Sequence, residues 1–268
     1  MTTWVGTSWK MNKTLAQARA YAEALAATGP DRWPGLQPFV IPPATALSTV
    51  SAALGPESAV LVGAQNAHWE DAGAWTGEVS VPQVADAGAR IVELGHSERR
   101  QHFAETDETV NRKVRSVLRH GLIPLVCVGE PDSVFRAGQS VPHVLAQIRA
   151  AILEVPRTDE VLVAYEPIWA IGQHGRPAAP EDVAPVFDAI DREFGGSLRG
   201  VLYGGSVSPD NALQILSVPG VDGLFIGRSA WEAERYLELL DQVAHWMQRR
   251  AGVVPVSKDP VSQAPMRR

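Results

Sequence analysis

Cysteine is almost absent from this chain. Cys127 is the only one in 268 residues, so no intrachain disulfide can form and no CxxC or Cys/His metal-ligand pattern exists. Neither a metal nor an organic cofactor is expected. Long apolar runs are missing too: none approaches the ~20 residues needed to span a bilayer. The N-terminus lacks the charged region and apolar core of a signal peptide. No membrane association is expected, and the cytoplasm follows as the default location. Positive charge is not in excess. A formal net charge of −6 argues against a general nucleic-acid surface, yet leaves room for a local basic pocket that takes a small anion. Lysine is scarce: Lys10, Lys13, Lys113 and Lys258 are all that occur among 24 lysines and arginines. Lys10 stands out for that reason, because ammonium and guanidinium groups are not interchangeable beside a ligand oxygen.

Short apolar runs alternate with helix-period segments from end to end. Strands are predicted near 4–6, 39–41, 60–63, 91–94, 123–128, 162–165, 200–203 and 223–226. Helices are predicted near 15–27, 46–54, 81–87, 107–120, 141–153, 180–194, 209–216 and 230–248. Several helices carry start signals. Ser208-Pro209 and Ser80-Val81-Pro82 set a cap beside an early proline, and Asp107-Glu108 follow Thr106 where the helix dipole favours acidic groups. Strands that are apolar throughout and separated by helices imply a parallel sheet covered by helices. Eight such units predict an α/β fold of one domain, a closed (β/α)8 barrel, which takes roughly 250 residues. An open doubly wound sheet is the alternative. The barrel is expected over 1–250. The segment 251–268 mixes Pro, Ser, Gln and charge without helical period and is expected to be a mobile tail.

In a barrel the loops after the strands open on one face, and that face carries the chemistry. Glu166 follows the apolar run Val161-Leu162-Val163-Ala164 and is itself followed by Pro167, Trp169 and a glycine-containing loop. A carboxylate at a rigid strand end, beneath a loop that can close and exclude water, suits proton abstraction from a carbon acid. The bland alternative is a surface glutamate in an ordinary loop. Lys10 follows the first strand and can supply positive charge to a phosphate or carbonyl oxygen, or be a solvated surface lysine. His96 follows the fourth strand just before a helix start, where backbone N–H groups disfavour imidazolium and leave a neutral ring able to donate to an oxygen. A packed structural histidine is the other reading. Glu98 either joins Arg99 and Arg100 in a structural ion-pair cluster or orients Lys10. Tyr203-Gly204-Gly205-Ser206-Val207 and Phe225-Ile226-Gly227-Arg228-Ser229 follow the last two strands, the usual phosphate cradle of barrels.

The motifs Trp9-Lys10-Met11-Asn12, Ala64-Gln65-Asn66, Thr76-Gly77-Glu78, Gly95-His96-Ser97-Glu98-Arg99-Arg100, Cys127-Val128-Gly129-Glu130, Tyr165 to Gly172 and Tyr203 to Val207 together resemble the triosephosphate isomerase family, from Trp4 to about Gln248. The resemblance implies Glu166 as the base that moves a proton between adjacent carbons. It implies His96 as the neutral electrophile and Lys10 as the stabiliser of an enediolate. Gly172, Ser206 and Gly227 fall where the family binds phosphate through the backbone, with Glu98, Thr76 and Trp169 in support. A homodimer is implied, in which the Trp75-Thr76 loop enters the other subunit.

Three positions depart from the family pattern. Ser8 stands where the family has asparagine. The lid Gly172-Gln173-His174-Gly175-Arg176-Pro177-Ala178 is one residue longer. Arg228 replaces a second glycine after Gly227. Ser8 removes volume beside the reacting carbons, while Arg228 brings a guanidinium to the phosphate turn or to an added hydroxyl. Gly6 to Lys13, Trp69 with Ala74-Trp75-Thr76, and Gly227 to Trp231 resemble the branch that isomerises erythrulose phosphate. The expected activity is therefore isomerisation of a short phosphosugar, preferably L-erythrulose 1-phosphate to D-erythrulose 4-phosphate. Triose phosphate isomerisation, phosphosugar epimerisation and a non-catalytic phosphosugar sensor are the alternatives.

Overall fold

The computed structural model describes residues 2–172, 175–250 and 252. Eight strands are hydrogen-bonded in sequence order into a closed parallel barrel. They are β1 (Thr3–Ser8), β2 (Leu36–Ile41), β3 (Leu61–Ala64), β4 (Ile91–Leu94), β5 (Ile123–Val128), β6 (Leu162–Tyr165), β7 (Gly200–Tyr203) and β8 (Gly223–Ile226). Closure runs through β1 and β8, with Trp4 opposite Gly223 and Thr7 opposite Ile226. The open sheet is thereby set aside. The segment 251–268 lies, apart from Gly252, outside the described residues, as do lid residues Gln173 and His174.

Helices cover the barrel's outer surface: α1 (Leu15–Ala26), α2 (Leu47–Leu54), α3 (Val81–Asp86), α4 (Ser97–His102), α5 (Asp107–Arg119), α6 (Asp132–Arg136), α7 (Ser140–Ala151), α8 (Pro180–Phe194), α9 (Ala212–Leu216) and α10 (Ala233–Arg250). Their buried faces follow the helical period. In α1 these are Ala18, Tyr21, Ala22 and Leu25; in α8, Val183, Val186, Phe187 and Ile190. Both rows recur at i, i+3, i+4 and i+7, the spacing that lines up one stripe of a helix. Ser80 caps α3 as expected, its side chain accepting from the Gln83 N–H, and Thr106 caps α5 in the same way.

Three helical expectations differ from the structure. The Ser208-Pro209 signal does not begin a helix there, because α9 starts at Ala212. Asn211 Oδ1 takes the Ser208 N–H at 2.8 Å and its amide nitrogen donates to Ser206 O, also at 2.8 Å, which holds this stretch as a turn. The last helix starts at Ala233, not at 230. Residues Arg228–Ala230 instead form a single 3-10 turn, and Trp231 Nε1 donates across to Ser8 O at 3.0 Å. Finally, α6 has no counterpart among the expected helices, and α4 was expected only as a helix start after His96. Neither has a buried residue, so neither leaves an apolar period in the sequence.

Strand parity sorts side chains into two cores. Trp4, Phe39, Ile41, Ile91, Leu125, Cys127, Leu162, Ala164, Leu202 and Phe225 fill the lumen. Val5, Val40, Val92, Leu94, Val126, Val128, Val163, Tyr165, Val201 and Leu224 pack outward beneath the helices. Continuing the lumen parity past each strand brings Glu166 and Gly204 to the mouth of the barrel. The same parity makes Ser8 the upper lumen residue of β1. Among the described residues, no helix is long and apolar enough to cross a membrane.

Candidate active site

One cavity of about 660 Å³ opens at the carboxyl ends of the strands, and it is lined by Ser8, Lys10, His96, Glu98, Glu166, Gly172, Ser206, Gly227 and Arg228. These side chains and glycines come from the ends of β1, β4, β6, β7 and β8. Trp169 and Thr76 do not line it. Trp169 is buried below the lid, while Thr76 is exposed on the loop after β3.

Glu166 is 6% exposed. Its backbone is gripped from both sides, since its N–H donates to Val128 O at 2.7 Å and the Gly204 N–H donates to Tyr165 O at 2.9 Å. Its Oε2 is buried without a hydrogen-bond partner among the described residues. Such an acceptor is costly unless it has a task. His96 Nε2 lies 3.7 Å from that oxygen.

His96 is the N-cap of α4, and its Nδ1 accepts the Glu98 N–H at 3.2 Å. A backbone N–H can only donate. Nδ1 therefore carries no proton, and the one proton of a neutral ring sits on Nε2, facing the cavity. The helix start read from the sequence is present, and it fixes the tautomer.

Lys10 adopts φ +52°, a left-handed conformation that is costly for a side-chain-bearing residue. Gln65 Nε2 donates to Lys10 O at 2.8 Å and holds that turn. Lys10 Nζ meets Glu98 Oε1 at 2.6 Å. Burial works against the ammonium, but the Glu98 hydrogen bond and surrounding carboxylates outweigh it and raise the Lys10 pKa. Burial pushes the Glu98 carboxyl up, yet Lys10 and His96 overcome this and hold it below the usual carboxylate value. Glu98 therefore orients Lys10. The arginines beside it turn elsewhere, Arg99 to Glu105 at 3.3 Å and Arg100 to Asp107 at 2.5 Å.

The far side of the cavity is glycine-rich main chain. Ser206 Oγ donates to Ala170 O at 2.6 Å, tying the turn after β7 to the base of the lid. Arg228 Nη2 donates to Gly172 O at 3.0 Å, so the guanidinium bridges the turn after β8 to the lid. Gly172 has φ +84°, and glycine takes that conformation without strain. Below the lid, the wholly buried Glu130 accepts from Trp169 Nε1 at 2.8 Å and from Tyr165 Oη and Ser140 Oγ, each at 3.1 Å. Among the described residues, no group of three or more His, Cys, Asp or Glu could hold a metal ion.

Sequence reasoning missed the roles of Gln65, Glu130 and, above all, Glu93. Glu93 is the one charged side chain in the eight strands. It is 3% exposed and accepts from Ser8 Oγ at 2.8 Å. Burial, only partly offset by neighbouring His96, pushes its carboxyl up to about 7. The available signal was an acidic letter inside the apolar run Ile91-Val92-Glu93-Leu94.

Two outcomes follow from this geometry. A Cβ on Gly204 would stand 2.7 Å from Glu166 Cγ and 2.9 Å from its Oε1. Gly204→Ala should displace the carboxylate and cut kcat by about 10²-fold, with little change in the circular dichroism spectrum. The second concerns pH. Raising the Glu93 pKa from 4.5 to about 7 means that the folded state binds this proton more tightly than the unfolded chain does. Its stabilising contribution is complete below pH 4.5 and is lost as pH rises through about 7. Glu93→Gln, which does not titrate, should therefore gain stability relative to the parent between pH 5 and pH 8, as read by urea midpoints.

A family model described as triosephosphate isomerase matches residues 3–243. L-erythrulose-1-phosphate isomerase of Mycolicibacterium smegmatis is 55% identical over 246 residues, covering 90% of this chain and 93% of that protein. The protein of the same name from Mesorhizobium japonicum is 50% identical, covering 90% and 97% respectively. Among solved structures, the crystal structure of triosephosphate isomerase from Bartonella henselae superposes with a TM-score of 0.80. It shares 32% identity and covers 91% of this chain and 99% of that one. With the closed barrel and the residues gathered at its mouth, these matches identify the chain as a member of the triosephosphate isomerase family.

Proposed function

We propose that this chain isomerises L-erythrulose 1-phosphate to D-erythrulose 4-phosphate. The observation that carries the chemistry is the unpartnered, buried Glu166 Oε2 lying 3.7 Å from the Nε2 of His96 in one cavity with Lys10. Curated relatives named for that activity, at 48 to 55% identity, support the choice of substrate. Compared with dihydroxyacetone phosphate, the tetrulose carries one additional hydroxymethyl group on the reacting carbon, and the small Ser8 side chain is consistent with room for it.

The step is a 1,2 proton shift. Glu166 takes the C3 proton while the electron pair forms the C2–C3 double bond and the C2 carbonyl oxygen gains charge. His96 Nε2–H donates to that oxygen, and the Lys10 ammonium offsets the charge. Proton exchange between the two enediol oxygens through His96, followed by return of the proton to C2, leaves the carbonyl at C3. Gly172, Ser206 and Gly227 are assigned to the phosphate, with Arg228 bracing the lid above it.

We assign the working unit as a homodimer. Met11 is 96% exposed and Trp75 is 48% exposed, both beside loops at the mouth of the barrel, and large apolar side chains left open there suit a protein interface.

The substrate is tested by incubating purified protein with each phosphosugar in heavy water and following it by NMR. Carbonyl migration in the tetrulose at a higher kcat/KM than in the triose is expected. Turnover of the triose alone would defeat the assignment, and deuterium uptake without migration would point to epimerisation. Glu166→Gln should lower kcat by ~10²-fold or more, the typical scale for a general base. For assembly, sedimentation velocity is expected to give a dimer that Trp75→Arg converts to monomer; a monomeric parent protein would refute it.

A further inference from the structure

Glu93 has no part in the proton transfer described above, yet it sits where an ionisable group is least welcome. Ile91, two residues before it, belongs to the lumen core, while Val92 and Leu94 face the helices. Glu93 therefore points into the barrel, one layer above Ile91. No cation lies within ion-pair distance among the described residues, and the Ser8 hydroxyl is its single hydrogen-bond donor. A buried carboxyl with so little compensation costs stability. Such costs concentrate at working sites.

The Ser8 to Glu93 contact crosses the lumen from β1 to β4. Ser8 lines the cavity and Glu93, behind it, does not. The Ser8 main chain is pinned, because its carbonyl accepts from Trp231 Nε1 at 3.0 Å and the next N–H, that of Trp9, donates to Ile41 O at 3.0 Å. The hydroxyl has one proton and two lone pairs. When Glu93 is ionised, above about pH 7, the Ser8 proton is committed to it and the hydroxyl can offer only lone pairs to the cavity.

We infer that Glu93 is a positioning residue that fixes the Ser8 hydroxyl as an acceptor for the primary hydroxyl of a four-carbon substrate, making this pair the subsite for the extra hydroxymethyl group. This rests on the tetrulose reading above. A triose phosphate has no such group, so the pair discriminates by substrate length. Burial raises the Glu93 pKa to about 7, so the ionised acceptor is present above that pH, where the assays are run.

The test uses the full chain, as the parent protein and as Glu93→Leu and Glu93→Gln, with three phosphosugars: the tetrulose, its 4-deoxy analogue and the triose. The readout is the ratio of tetrulose to triose kcat/KM, which does not depend on how much of a variant is folded. Glu93→Leu should lower that ratio by roughly 10- to 100-fold, the scale of one charge-assisted hydrogen bond. Glu93→Gln, whose amide oxygen can still accept from Ser8, should recover much of it. The parent protein should prefer the tetrulose to its 4-deoxy analogue, and Glu93→Leu should lose that preference, since deleting either end of one interaction is not additive. An unchanged ratio in Glu93→Leu, with the parent still converting the tetrulose, would overturn the subsite alone. A parent protein that converts only the triose would overturn the tetrulose reading and the subsite with it.

Discussion

A carboxylate oxygen kept out of water and left without a donor is the condition on which this molecule is organised. Desolvation makes the Glu166 carboxylate expensive to hold in place. The barrel meets that cost by rigidity. Main-chain bonds from the neighbouring strand ends grip residues 165 and 166. Gly204 and Gly129 supply the bare backbone that lets the segment pack so closely, since a Cβ on Gly129 would fall 1.9 Å from Glu166 O. The imidazole opposite is fixed as simply, one backbone N–H setting the His96 tautomer.

Charge around the cavity is arranged in opposed pairs, not in excess. Lys10 is held in a strained turn and steadied by Glu98, so an ammonium is presented without a free cation's mobility. Glu93 sits deeper and contributes to keeping Lys10 charged. The glycine-rich rim formed by the last two loops is joined to the lid segment through Ser206 and Arg228. An anion entering the cavity thus meets a mainly preformed electrostatic setting, which is the condition under which fixed dipoles and charges act most strongly on a reaction.

Much of this was legible in the residues. All eight strands could be read, because parallel strands covered on both faces are apolar throughout and are bounded by helix caps or glycines. That Glu166, His96 and Lys10 share one cavity was legible because each follows such a strand. The failures have physical causes. Helix α6 has no fully buried residue and is too short to carry a period, and α4, legible only as a start after His96, is the same in both respects. The Ser208-Pro209 signal was outcompeted by Asn211, whose side chain bonds both Ser208 and Ser206. Glu130 reads as an ordinary loop glutamate until its three donors converge on it. Glu93 was hidden by its surroundings: in a line of letters, one acid among Ile, Val and Leu looks like an exposed strand position. Only closure of the sheet turns it inward.

Cys127 occupies the same lumen, 1% exposed, and burial raises its thiol pKa well above the ordinary value. With thiolate scarce and the side chain buried, the sulfur reacts slowly while the cylinder stays shut. The chain thus carries its own clock for breathing of the barrel. The pace at which a thiol reagent reaches this one atom reports local opening around it, and no residue has to be introduced to read it.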